Sequence, residues 1–417
     1  MMVLFTGSLI VLFCQREIES FPVTGKADER LIPLDELMIT FMKKHDIPGG
    51  ALAVTKGGWL IYARGFGYAD VQTRRPVMPN SLFRIASLSK PITAVAVMQL
   101  IEKGILREDE RMVEVLKLHN RLLPEININP DWDKITISHL LTHTAGWDRS
   151  QDGDPMFKSA EIARERHIDL PAKPWDIIAY MAPRPLQFEP GSRYSYSNFG
   201  YCLLGRIIEA KTGFSYEDYV IREIFRPLGM TESRMGKTLK KDRAALEVTY
   251  YFTGEKHPGV VPPFVGKPVL VPYGCWPLET MDAHGGWISS VVELARFVSA
   301  LDDPDNCPLL RSRSIQKMFN PPHPAQTTFD SVFYAYGWLI RRVEKGRYNV
   351  WHDGSLAGSS SLMVRRYDGL NWIVLFNSGK PHQKDGAYGT VIDPLIHQAV
   401  AQIEEFPEYD LSPDYSK

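Results

Sequence analysis

Residues 83–104 read FRIASLSKPITAVAVMQLIEKG. The spacing predicts a helix over 87–104, with an Ala/Val/Met/Leu/Ile-rich core and Gly104 as a stop. Pro91 falls in the first turn, where its missing N–H costs little. Ser87 and Lys90, three residues apart, then project from one helix face. A hydroxyl is a poor nucleophile until a nearby base removes its proton. A lysine can serve once desolvation or positive neighbours disfavour its ammonium form. The helix N-terminus also leaves backbone N–H groups and a partial positive charge beside a developing oxyanion. The motif carries little by itself, because Ser-x-x-Lys recurs at Ser314-Ile315-Gln316-Lys317, where a polar helix surface is expected.

On the N-terminal side, residues 32–46 show apolar positions at helical spacing, ending before Pro48. Ala51–Val54 and Trp59–Ala63 follow as two strands around Lys56-Gly57-Gly58, a hairpin signal. On the C-terminal side, from about 107 to 280, helical segments such as 174–182 and 201–212 alternate with Pro- and Gly-marked turns. Residues 255–278 form a Pro-rich passage without period, long enough to be either a substrate-facing loop or padding. Strand signals return at Phe333–Arg341, Tyr348–His352, Ser359–Arg366 and Asn371–Asn377, before an amphipathic helix over roughly 390–404. The economical reading is an α/β (α+β) fold. It has one antiparallel sheet built from both chain ends, flanked by helices, with a mainly helical region inserted. Residues 30–405 then make a single domain, its sheet part about 30–86 and 285–405 and its helical part about 87–284.

The bulk properties bound the function without naming it. The 417 residues are 44% hydrophobic and 23% charged, as expected of a globular protein. A net charge of -1 and the lack of a basic stripe argue against nucleic acid as a partner. Residues 1–20 contain the apolar run VLFTGSLIVLFC (3–14), of signal-peptide length. No positive side chain precedes it and no clean cleavage site follows, which leaves an uncleaved anchor or a disordered start as alternatives. The export reading implies a secreted or extracytoplasmic protein, and the alternative is a cytoplasmic one. No later run reaches membrane-spanning length. Cys14, Cys202, Cys275 and Cys307 show neither a disulfide framework nor a Cys-x-x-Cys metal pattern.

Two further stretches give Ser87 company. Tyr196-Ser197-Asn198 holds a phenol that could relay a proton to a leaving group, and an amide that could hold a substrate carbonyl. Trp351-His352-Asp353-Gly354-Ser355 ends a strand. There glycine allows close approach to the backbone, and the Ser355 N–H could pair with that of Ser87 as an oxyanion hole. Taken singly, the first reads as a turn in which Tyr packs and Asn supplies turn chemistry, and His352 as a surface or strand-end histidine.

In the order Ser-x-x-Lys, Tyr-x-Asn, His-x-Gly, the three elements resemble the serine β-lactamase and penicillin-binding-protein superfamily. The branch matched best comprises class C β-lactamases, DD-peptidases and family VIII esterases. Phe83–Ser87, Leu140–Gly146, Pro227–Met230 and Gly285–Trp287 support the likeness, which covers roughly 32–400. The resemblance implies a β-lactamase/transpeptidase-like fold with the site between its sheet and helical parts. It implies an acyl-enzyme on Ser87, assisted by Lys90 and Tyr196, with Asn198 and the 352–355 strand (His352, Gly354, Ser355) binding a small-molecule acyl substrate. It implies neither cofactor nor metal, and leaves the oligomeric state open.

Two decoys are set aside. Lys211-Thr212-Gly213 sits at a helix end, with Gly213 as C-cap, and His284-Gly285-Gly286 is expected before a helix. His352 stands where many β-lactamases and peptidases carry lysine. A neutral histidine attracts a carboxylate less than an ammonium does, which favours esters or small amides with weak or no β-lactamase activity. The alternatives are a β-lactamase or D-amino-acid peptidase and, from another class, a catalytically silent binding or scaffold protein. A zinc site on His139 and His143 lacks the metalloprotease glutamate, since Leu140 occupies that place, and no Gly-x-Ser-x-Gly elbow exists.

Overall fold

Leu370–Phe376 is buried along its whole length, with alternate side chains entering two different cores. Trp372, Val374 and Phe376 face one core, while Ile373 and Leu375 face the other. A strand covered on both faces loses the polar alternation of a solvated one. The computed structural model describes residues 21–415 except 123, 321–331, 345 and 380–386. The N-terminal apolar run lies outside the described residues. No helix among those described is long and apolar enough to cross a membrane.

The main sheet comprises β1 (Val23–Thr24), β2 (Gly49–Lys56), β3 (Trp59–Asp70), β4 (Val332–Tyr334), β5 (Leu339–Glu344), β6 (Arg347–Leu356), β7 (Ser359–Arg365) and β8 (Leu370–Phe376). Its order is β1-β3-β2-β8-β7-β6-β5-β4, antiparallel throughout, with the two-residue strand Arg75–Pro76 added on β3. The expected joining of the chain ends is the β2–β8 pair, in register from Gly50↔Phe376 to Lys56↔Leu370. Helices α1 (Ile32–Lys44) and α5 (Tyr388–Ala401) cover one face, and α4 (Val291–Ser299) covers the other. Small Ala51 and Ala53 lie on the α4 side of β2, with Leu52 and Val54 on the opposite side.

Between the two sheet halves runs a set of mostly short helices around α2 (Ser89–Glu102) and α3 (Asn198–Thr212). Helix α2 is buried all round from Ser89 to Leu100, so it forms the central pillar rather than an amphipathic cover. It begins later than predicted. Ser87 sits in a 3-10 turn, Ala86–Leu88, entered from the strand Phe83–Arg84 through Ala86 at φ 48°. Left-handed backbone at a non-glycine residue costs roughly 1–2 kcal/mol, so packing must hold this corner.

Two other expectations need correction. The run Phe333–Arg341 is two strands, because Gly337 turns the chain at φ 84°. A Cβ there would stand 2.5 Å from the Ala94 side chain of α2. The Pro-rich passage carries a small hairpin, Lys256–Pro258 with Pro268–Leu270. It is anchored by the fully buried Arg84, whose guanidinium donates to the carbonyls of Pro272 at 2.6 Å and Lys237 at 2.8 Å.

Candidate active site

The corner before α2 points Ser87 into a cleft of about 870 Å³. Its lining includes Tyr194, Tyr196, Asn198, Trp276, Tyr334, His352, Asp353 and Ser355. Val271 and Trp276 come from the Pro-rich passage, so that stretch faces the cleft.

Three groups distant in sequence converge on one oxygen. Lys90 Nζ lies 3.0 Å from Ser87 Oγ, and the Tyr196 hydroxyl donates to the same oxygen at 2.8 Å. Lys90 is fully buried and also donates to the His284 carbonyl at 2.8 Å. Burial is the main force pushing its ammonium well below the ordinary lysine range. The Arg149 charge adds to the push, while Asp154 and Asp353 oppose it. Burial likewise drives the Tyr196 phenol well above its ordinary value, so it stays protonated. An amine whose charged form is disfavoured and a protonated phenol on one hydroxyl are a proton acceptor and a proton carrier in place.

The 352–355 strand lies against the nucleophile corner. A Cβ on Gly354 would stand 2.5 Å from the Ile85 carbonyl oxygen and 3.0 Å from the Ser87 nitrogen, so glycine is required by close backbone approach. Ser359 and Ser361 of β7 donate to the carbonyls of Arg84 and Ile85, at 2.5 and 2.8 Å. These bonds tie the sheet to the strained corner.

The structure revises the sequence reading of two residues. His352 is buried, and its Nδ1 lies 2.6 Å from the Asp353 carbonyl oxygen, which can only accept. Nδ1 therefore carries the proton, and Nε2 accepts from the Tyr334 hydroxyl at 2.9 Å. Burial, with Lys90 nearby, holds the ring down to about 3, so it is neutral and both nitrogens are occupied. As it stands, His352 offers no polar atom to a substrate. Asn198, at the start of α3, uses its Nδ2 to donate to Asp154 at 2.6 Å. It is thus the amide oxygen, buried and without a partner, that remains available, so Asn198 presents an acceptor rather than a donor for a substrate carbonyl.

Asp154, Arg149, Tyr194, Tyr334 and Trp276 went unread in the sequence, because none belongs to a local motif. Arg149 caps the face of the Tyr196 ring at 4.7 Å. His143, rejected as a zinc ligand, has its ring centre 4.4 Å from both Tyr196 and Tyr334, and its Nδ1 accepts from the Ser197 N–H at 3.1 Å. His139 completes a capping box with Thr136 at the start of the Ile137–Leu141 helix. Gly213 caps α3 at φ 75°, as expected. His284 lies in the short helix Asp282–Gly285 that leads into the strand Trp287–Ser289, not before a helix, and its carbonyl serves Lys90. The second Ser-x-x-Lys is spent elsewhere: Ser314 donates to Glu102 at 2.7 Å and Lys317 pairs with Glu108.

Comparison with known proteins places this geometry. The family model described as Beta-lactamase matches residues 34–394. The chain is 32% identical to Penicillin-binding protein 4* of Bacillus subtilis (strain 168), over 90% of this chain and 77% of that protein. It superposes on the octameric penicillin-binding protein homologue from Pyrococcus abyssi with a TM-score of 0.68 at 27% identity, covering 88% of this chain and 76% of that one. The D-amino acid amidase from Ochrobactrum anthropi SV3 shares the fold, with a TM-score of 0.68 at 23% identity over 90% and 99% of the two chains.

Proposed function

The chain belongs to the beta-lactamase family, and from that premise we propose that it is a serine hydrolase acting through an acyl-enzyme on Ser87, turning over esters or small amides with weak or no action on β-lactams. The reading is carried by the convergence of Lys90 Nζ and the Tyr196 hydroxyl on Ser87 Oγ, at 3.0 and 2.8 Å, with Lys90 sealed from water.

Lys90 takes the Ser87 proton as Oγ attacks the acyl carbon. The carbonyl oxygen becomes an oxyanion between the backbone N–H groups of Ser87 and Ser355, which need not reorganise as charge develops. Tyr196 passes a proton to the departing alkoxide or amine and is re-protonated from Lys90, which completes the acyl-enzyme. Water then attacks the ester on Ser87, with the same groups moving protons in reverse.

The ester preference is supported by His352. A lysine at that position would offer a permanent cation to a β-lactam carboxylate, whereas here a neutral ring has both nitrogens committed. Fluorophosphonate labelling tests the chemistry: the native protein takes label and Ser87→Ala does not. Absence of label on the native protein defeats the hydrolase reading. Steady-state rates on a nitrophenyl ester and a chromogenic cephalosporin test the preference, and faster cephalosporin turnover overturns it.

A further inference from the structure

His143 follows the helix Ile137–Leu141, with its backbone in the left-handed region at φ 58°. From that one position it meets three consecutive residues of the segment that carries the phenol. Its carbonyl accepts from the Ser195 N–H at 2.8 Å and its Nδ1 from the Ser197 N–H at 3.1 Å, one bond on either side of Tyr196. Its ring centre lies 4.4 Å from that of Tyr196 itself. The rings of Tyr334 and Tyr201, at 4.4 and 5.0 Å, pack on the imidazole as well. The next residue continues the seam, since the Thr144 carbonyl accepts from the Gly191 N–H at 2.8 Å.

This arrangement carries two costs. A residue with a Cβ is disfavoured at positive φ. Because Nδ1 accepts, the ring proton sits on Nε2, which is buried and, among the described residues, has no hydrogen-bond partner. An apolar ring would avoid the second cost and glycine the first, but neither could both accept from Ser197 and pack on Tyr196. Burial, reinforced by Lys90, His352 and Arg149, holds the imidazole well below the ordinary histidine range, so Nδ1 stays free to accept. We infer that His143 is a positioning residue, which holds the Tyr196 hydroxyl where it can pass its proton to the leaving group. The inference rests on the hydrolase reading above, in which that proton goes to the departing oxygen or nitrogen as its bond to the acyl carbon breaks. A phenol that meets Ser87 Oγ at 2.8 Å tolerates little drift, since a displacement of about 1 Å can cost roughly a hundredfold in rate.

The test uses two esters of one acyl group, 4-nitrophenyl butyrate and methyl butyrate, and reads the ratio of their kcat/KM values, which report acylation. Nitrophenoxide departs without a proton, whereas methoxide needs one. Tyr196→Phe sets the scale and should raise the nitrophenyl-to-methyl ratio at least about a hundredfold. His143→Ala should raise it by at least about tenfold. His143→Asn should raise it by less, since its amide oxygen can take the Ser197 N–H and asparagine tolerates φ 58°. In a Tyr196→Phe background neither change should raise it further, because no hydroxyl is left to position. Loss of folded protein acts on both esters and cancels in the ratio; if the alanine variant does not fold, the asparagine variant decides. An unchanged ratio in a folded His143 variant, or a further rise on top of Tyr196→Phe, overturns this inference while leaving the hydrolase reading intact. An unchanged ratio in Tyr196→Phe removes the phenol as proton carrier and the inference with it, though not Ser87 as nucleophile. Failure of the native protein to cleave either ester overturns both readings.

Discussion

Lys90 shows how one side chain acquires chemistry from its surroundings. An ammonium fully removed from water loses solvation that its two neighbouring carboxylates only partly return. Its proton affinity therefore falls well below the ordinary lysine value of 10.5. The unfolded chain then binds the extra proton between the folded value and 10.5, so this group's contribution to stability is full above 10.5 and is lost as pH falls toward the folded value. The same titration sets the acid limb of kcat/KM, which should lie well below 10.5. Lys90→Met should slow acylation by at least about a hundredfold and flatten the rise of stability with pH across that window. Stopped-flow burst kinetics and pH-dependent denaturation measure the two effects. A near-normal burst removes Lys90 from the mechanism, and an unchanged slope shows that it is not the titrating group.

At the scale of elements, the site is a contact between a corner and a strand. The corner is strained at Ala86, and the strand reaches it only because residue 354 has no Cβ. The hydroxyls of Ser359 and Ser361 fasten the corner to the adjacent strand through the carbonyls of Arg84 and Ile85. Gly354→Ala forces its methyl onto the Ile85 carbonyl and pushes strand and corner apart. Because the proposed oxyanion hole uses one N–H from each, the expected loss in kcat is about a hundredfold or more. Lowered thermal stability should accompany it. A variant with native turnover would show that the two backbones are not held together for catalysis. The three motifs were legible in the sequence because each is a short run with fixed spacing. What spacing could not convey is which atom of Asn198 faces the substrate, or that the nitrogens of His352 are already taken. Those outcomes depend on Asp154, 44 residues from Asn198, and on Tyr334, 18 residues from His352, both on other elements.

The whole molecule depends on joining its ends. Asn371 of β8 donates to Thr55 of β2 at 3.0 Å, across 316 residues of chain. β8 lies between β2 and β7 and supplies Trp372, Val374 and Phe376 to the core beneath α1 and α5. A chain ended at residue 366 lacks β8 and α5, so β2 and β7 lose their common neighbour. Such a chain should show no cooperative unfolding transition by circular dichroism, since the remaining strands present open edges and an uncovered apolar face. A sharp transition in the shortened chain would mean that the N-terminal elements fold independently of the closing strand. Pairings of such long range also predict slow folding relative to helical proteins of similar size.

Local pattern was sufficient for the architecture. Periods of two and 3.6 residues marked the longer strands of the main sheet and the helices α1, α2, α3 and α5, and strand text at both ends with helical text between them implied the shared sheet. Ser87, Lys90, Tyr196 and Gly354 were legible for the same reason, as residue types at set intervals. The split of 333–341 by Gly337, the late start of α2, the place of His143 against Tyr196 and the neutrality of His352 came only with the folded chain. Burial and hydrogen-bond partnership are properties of neighbours brought together by folding. No interval along the chain encodes which of two nitrogens meets a carbonyl.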